Sequence, residues 1–254
     1  MIDAVVLAGG ADRGQILAHT GVAYRPLLEV GGRSIIQRTL GALRGAAAIR
    51  NVSLVAPEPV QAAVGDDAVD MRVPAGESFL ENIVHGVEAA SGGTDHLLLL
   101  TGDLPLITPE AINDFVERSL AAGVDACYPI IPKESCERRF PGSHRTYARL
   151  REGVFTGGNG VVVTADFVPL RRQLVERLYL SRKNPLKLAA MFGLGFIFGL
   201  ITGRLTLPQL EARAGAIISG RVAAIISTYP ELGFDVDKLE DLYLARRVAE
   251  GFAS

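Results

Sequence analysis

Residues 96–103 read HLLLLTGD, and this run restricts the possible folds more than any other part of the chain. Four consecutive leucines lack the alternation of a strand with one wet face. They require burial on both sides, as in a central strand of a sheet covered by helices. The run then gives way abruptly to Gly102-Asp103. Around it, strand-like and helix-like patterns alternate. Strands are expected at Ala4–Ala8, Val52–Ala56 and His96–Thr101, and helices from Ser34, through Phe79–Ala90, and from Thr108. Ser34 and Thr108 are capping residues, Pro109 suits a first turn, and Glu110 suits the positive end of the helix dipole. Beyond them come a strand at Asp125–Ile131, a polar loop, and a hairpin of Thr146–Leu150 with Val154–Phe155 turned by Arg151-Glu152-Gly153. Strands at Gly160–Thr164 and Gly220–Ser227 and a last helix over Asp237–Gly251 complete the pattern. The expected class is α/β, a mostly parallel sheet covered by helices.

At 254 residues the chain is long enough for one large domain, 1–254, with a helical insertion at 170–214. Hydrophobic residues make up 48%, charged residues 21%, and the net charge is −2, which argues against disorder and against a nucleic-acid partner. Zero Trp and an aromatic content of 6% argue against stacking platforms for single strands. Cys127 and Cys136 have no metal-ligand spacing, and the start MIDAVVLAGG has no basic leader, so a cytoplasmic protein is expected.

The first βα connection carries the clearest chemistry. The apolar run Asp3–Ala8 stops at Gly9-Gly10, where backbone N–H groups could approach phosphate oxygens, and Arg13 and Arg25 bring positive charge to the same end. This stretch, Ile2 to Leu40, resembles nucleotidyltransferases of the molybdenum-cofactor guanylyltransferase-like and sugar-phosphate type, whose pattern is close to LAGGxGxRxG…KPLLxVxGxP. Leu7-Ala8-Gly9-Gly10, Arg25-Pro26-Leu27-Leu28 and Gly31-Gly32 match it. The family's lysine before proline is here Arg25, and Arg13 sits one residue nearer the double glycine. Arginine replaces a compact ammonium with a planar fork.

The resemblance implies a glycosyltransferase-A-like (Rossmann-like) fold and attack of an acceptor phosphate on a nucleoside triphosphate, with pyrophosphate released. It implies catalytic roles for Arg13, Arg25 and Asp103, and nucleotide contacts from Leu7, Ala8, Gly9, Gly10 and Arg25. Through the TGDLPLI match it makes Asp103 a ligand of Mg²⁺, and a hard oxygen donor after a strand end suits that ion. Asp235-Val236-Asp237 resembles the family's closing acidic segment, with Asp237 the expected second ligand and Asp235 the fallback. Asp237 could instead cap the last helix. The loop Pro74 to Asn82 resembles the base-reading loop, with Gly76, Ser78 and Asn82 as contacts, although Ser78 and Glu81 also form a capping-box pattern. In Thr156-Gly157-Gly158-Asn159, Asn159 is the expected acceptor contact. Lys133, Arg138, Arg139, His144, Arg145 and Arg149 are either a phosphate-binding cluster or a solvated face. Two rivals stay open: a glycosyltransferase using a nucleotide sugar, and a non-catalytic nucleotide-binding, membrane-associated interaction protein.

Leu188 to Thr202 has no charge over 15 residues. As a helix it would be about 22 Å long, short of a ~30 Å hydrocarbon core. Gly195, Gly199 and Gly203 recur every fourth residue, which suits close helix contact. A buried helix or homodimer interface through 188–203, a peripheral membrane contact, and a lid over the acceptor are the three readings.

Overall fold

The computed structural model describes residues 1–11, 14–90, 92–181 and 193–251. Its strands are β1 (Ile2–Leu7), β2 (Glu29–Val30), β3 (Arg33–Ser34), β4 (Ile49–Ala56), β5 (Met71–Pro74), β6 (His96–Thr101), β7 (Ala126–Pro132), β8 (Ala148–Leu150), β9 (Gly153–Gly157), β10 (Gly160–Thr164) and β11 (Val222–Ile226). The helices before β11 include α1 (Gln15–Thr20), α2 (Ile35–Gly45), α3 (Glu58–Ala62), α4 (Phe79–Ala90), α5 (Pro109–Ala122), α6 (Lys133–Arg139) and α7 (Phe167–Ser181). Leu194–Ile201 and Leu207–Ile218 follow, and Leu239–Ala249 is the last helix.

All strands except the β2–β3 hairpin join one sheet in the order β5-β4-β1-β6-β10-β7-β9-β8, with β11 on β7. The β1–β4, β1–β6, β4–β5 and β7–β11 pairs are parallel. Strand β10 is antiparallel to both β6 and β7, so those two agree in direction, and only β9 and β10 run against the rest. The sheet is therefore mostly parallel, as the alternating pattern predicts. Strands β9 and β10 both pair with β7 and are separated only by Gly158-Asn159, so they act as one strand broken there. The break is well held. Gly158 N donates to Pro129 O (2.9 Å), Asn159 N to Leu232 O (2.8 Å), and Thr101 N to Asn159 O (3.1 Å).

The leucine run is β6, and Leu97, Leu98, Leu99 and Leu100 are all buried. Leu98 and Leu100 join Ala4 and Val6 in a core with Ile36 and Leu40 of α2 and Phe115 of α5. Leu97 and Leu99 join Val5 and Leu7 on the other face, against Val84 and Val87 of α4 and Phe167 of α7. Each side chain buried this way contributes roughly 1.5–3 kcal/mol. Helix α4 lies close to the sheet at Gly86, where an added Cβ would meet Val5 and come 2.9 Å from Val55. Gly86→Val is expected to destabilise the fold by about 3 kcal/mol or more through overpacking, read as a lower urea midpoint with an unchanged m-value.

The expected caps are in place. Ser34 Oγ accepts from Gln37 N (3.4 Å) while Gln37 Oε1 accepts from Ser34 N (3.1 Å), and Thr108 Oγ1 accepts from Ala111 N (3.2 Å). Gly31 and Gly32 turn the β2–β3 hairpin at φ of 56° and 74°, values that a two-residue turn of this hand demands. The segment expected as a polar loop after β7 contains α6 instead. Glu134 lies in its first turn, Arg138 and Arg139 in its last, and Cys136 is buried, so charge placement and one apolar anchor favour a helix.

The helices Phe167–Ser181, Leu194–Ile201 and Leu207–Ile218 lie between β10 and β11. Both ends of this excursion meet at Asp125: its O accepts from Thr164 N (2.9 Å), and its N donates to Arg221 O (2.9 Å). Of the apolar segment 188–203, residues 188–192 lie outside the described residues. Gly199 faces its own chain's Leu205, at 3.7 Å from an added Cβ, and Gly203 lies past the helix end at φ 67°. Among the described residues, no helix is long and apolar enough to cross a membrane.

Candidate functional site

Leu7 pairs with Thr101, so Gly9-Gly10 and Gly102-Asp103 emerge side by side from the carboxyl ends of β1 and β6. Gly102 N donates to Leu7 O (3.0 Å), and an added Cβ at Gly102 would lie only 2.7 Å from that of Ala8. Glycine is what lets these strand ends converge. The segment 235–237 is tied to the same place through Val236 N, which donates to Asp103 O (3.3 Å).

Carboxylate oxygens of Asp103, Asp235 and Asp237 lie within 4.8 Å of one another. Two guanidinium groups face them. Arg25 pairs with Asp237, stands 3.7 Å from Asp103, and donates to Val236 O (3.2 Å). Arg145 pairs with Asp235, donates to its backbone O (3.1 Å), and lies 4.8 Å over the Phe234 ring. Among the described residues, three carboxylates here face two guanidinium groups. Burial, followed by the charge of Asp235, pushes Asp103 up to about 6, against a hydrogen bond from Thr101 and the pull of Arg25. Asp103 Oδ1 and Thr101 Oγ1 are both buried and lie beside one another. A buried carboxylate oxygen beside two further carboxylates is a donor set that fits a hard divalent cation.

The residues expected to meet the nucleotide also converge. Asn82 is buried, its Oδ1 accepts from Gly76 N (2.7 Å), and its amide stands where a Cβ on Gly9 would go. It thus joins the Gly9-Gly10 turn to the loop after β5. An added Cβ at Gly76 would lie 2.8 Å from Glu81, whereas at Gly10 it would meet nothing within 4 Å. Ser78 is engaged as a helix cap: its Oγ accepts from Glu81 N (3.1 Å), and Glu81 Oε2 accepts from Glu77 N (2.7 Å) and Ser78 N (3.2 Å).

Asp237 does not cap the last helix. Asp241 does so by reaching back, its Oδ2 accepting from Asp237 N (3.2 Å) and Lys238 N (3.0 Å), which leaves the Asp237 carboxylate turned to Arg25. Asn159 lies at the strand break, with its backbone hydrogen-bonded on both sides. Arg13 lies outside the described residues. The basic cluster divides. Lys133 pairs with Glu137 (3.3 Å) and Arg139 lies over Phe140, while Arg145 alone of this group pairs with the site's carboxylates. That pairing spans 90 positions, and no local pattern announces it.

Residues 4–153 match the family model described as MobA-like NTP transferase domain. A 3-deoxy-manno-octulosonate cytidylyltransferase of Agrobacterium fabrum is 28% identical over 253 aligned positions, covering 92% of each chain. A hypothetical transferase from Thermus thermophilus superposes with a TM-score of 0.85 at 35% identity, over 95% of this chain and 100% of that one. A 2-C-methyl-D-erythritol 4-phosphate cytidylyltransferase, also from Thermus thermophilus, shares the fold, with a TM-score of 0.55 at 17% identity over 98% of this chain and 100% of its own.

Proposed function

Because this chain belongs to the MobA-like NTP transferase domain family, we propose that it joins a nucleoside triphosphate to a phosphorylated small-molecule acceptor with Mg²⁺ as cofactor, releasing pyrophosphate. The observation that carries this reading is the carboxylate cluster of Asp103, Asp235 and Asp237 beside the open Gly9-Gly10 turn. An acceptor phosphate oxygen attacks the α-phosphorus, the bond to the oxygen bridging to the β-phosphate breaks, and pyrophosphate leaves with that electron pair.

Leu7 to Gly10 supply the floor and backbone amides of the triphosphate site. Gly76, Ser78 and Asn82 shape the loop that meets the base, and Asn82 couples the two. Arg25 and Arg13 supply cationic charge to the phosphates, with Arg25 held until then by Asp237 and Val236. Asn159, at the strand break, contacts the acceptor in this reading. Asp103 and Asp237, with Asp235 beside them, would hold the metal, which when bound neutralises charge on the triphosphate. The protein's own contribution is positioning and preorganised charge.

Cytidylyltransferase names recur among the relatives, so CTP is the first nucleotide to test. In a pyrophosphate-release screen of the four common ribonucleoside triphosphates against phosphorylated acceptors, release is expected only when nucleotide, acceptor and Mg²⁺ are all present. Release that ignores the acceptor, or no binding of any triphosphate by thermal shift, would contradict the proposal.

A further inference from the structure

A cavity of about 450 Å³ lies between the β7–β11 end of the sheet and the helices Leu194–Ile201 and Leu207–Ile218. Its walls include Ile130, Leu150, Phe155, Leu200, Leu210 and Ala214. Among the described residues that line it, Glu211 is the only charged one, and its carboxylate accepts from Ala224 N (2.8 Å). The space is half open to solvent, and its size falls in the range of ligand pockets. With walls this apolar, the space favours an apolar guest.

The cavity adjoins the proposed acceptor segment. Thr156 and Gly157 form part of its wall, and Gly158 and Asn159 come next in the chain. Tyr128, also in the wall, donates to Gly158 O (2.7 Å), which ties the wall to the strand break. An added Cβ at Gly158 would lie 3.0 Å from Leu232 O, just ahead of Asp235. One short stretch of backbone therefore separates the apolar space from the charged site. On the outside, the helix Leu194–Ile201 turns Leu200 to the cavity and leaves Phe198 61% and Ile201 78% exposed. A chain arriving from a lipid aggregate would meet apolar surface on the way in.

We propose that the acceptor carries a flexible apolar chain of the alkyl or isoprenoid class, which this cavity receives while the acceptor's phosphate reaches the carboxylate site past Gly157 to Asn159. The inference rests on the transferase reading above and specifies its acceptor class.

The test is the binding of butyl, octyl and dodecyl phosphate below their micellar concentrations, by calorimetry, with inorganic phosphate and dodecanol as references. Each methylene that enters the cavity strengthens binding up to about fourfold, so octyl should exceed butyl phosphate by on the order of 10²-fold. Ala214→Phe fills the space and is expected to remove at least about tenfold of that gain. If that variant does not melt cooperatively, Ala148→Phe on the exposed strand β8 replaces it. Phe198→Ser with Ile201→Ser should keep the gain. Affinity independent of chain length overturns the inference, as does a gain that survives filling the cavity or disappears with the outer-face variant. A thermal-shift response to nucleoside triphosphate separates the failures. If the nucleotide binds and chain length has no effect, the apolar acceptor alone is wrong; if no nucleotide binds, the transferase reading fails first.

Discussion

Asp103→Asn is expected to make the metal-free protein harder to melt while nearly abolishing nucleotidyl transfer. Burial and Asp235 hold the folded-state pKa of Asp103 at about 6. The unfolded value is near 3.9. Between these values the folded protein binds the extra proton, so stability falls as pH rises from about 4 to about 6 and then levels off. At neutral pH the ionised group thus costs roughly 2–3 kcal/mol, which a neutral amide of the same shape avoids. Scanning calorimetry in EDTA should show the variant melting higher than the parent at pH 8 and the difference closing near pH 4. Turnover with Mg²⁺ should fall by on the order of 10²-fold or more, since a charged contact to the reacting centre is lost. Retained activity within a few-fold of the parent would remove Asp103 from the mechanism. An unchanged melting temperature at pH 8 would mean that its carboxylate is not strained.

Arg145→Met should have the opposite effect on the metal-free fold. The Arg145 and Asp235 side chains are only 12% and 18% exposed, and Arg145 also lies on the Phe234 ring. Removing one partner of a pair this deep leaves the other charge without its compensation, an effect of about 3 kcal/mol or more. Here the stranded Asp235 also faces Asp103 and Asp237. A divalent cation would relieve that crowding, so millimolar Mg²⁺ should raise the urea midpoint of Arg145→Met further than that of the parent. Adding Asp235→Asn should recover much of the loss without metal. A loss below about 1 kcal/mol, or a midpoint equally insensitive to Mg²⁺ in both proteins, would show that Arg145 does not balance this site.

The sheet was legible because its signals are local. The leucines of β6, the caps Ser34 and Thr108, and the glycines after β1 each declare themselves within a few residues. Asp103 was visible for the same reason, as a carboxylate directly after a buried run. What stayed hidden depends on residues far apart in the chain. The Arg145–Asp235 pair, the bridging of Gly76 and Gly9 by Asn82, and the capping of the last helix by Asp241 rather than Asp237 are settled by tertiary packing. Helix α6 was missed because its short, highly charged sequence has little apolar periodicity beyond Cys136.

Both ends of the helical excursion after β10 return to Asp125, so its two chain ends lie together at the entry to β7. The cost of closing such a loop grows by only about 0.6 kcal/mol per doubling of its length. A descendant of this chain could exchange the excursion for a shorter turn or a longer bundle while Asp103, Asp235 and the Gly9-Gly10 turn kept their places. Leu200, Leu210 and Ala214 belong to the excursion, whereas those site residues do not. On the acceptor reading proposed above, molecular size and shape on the acceptor side would be inherited separately from the chemistry of the nucleotide side, much as a tool head is changed on a fixed handle.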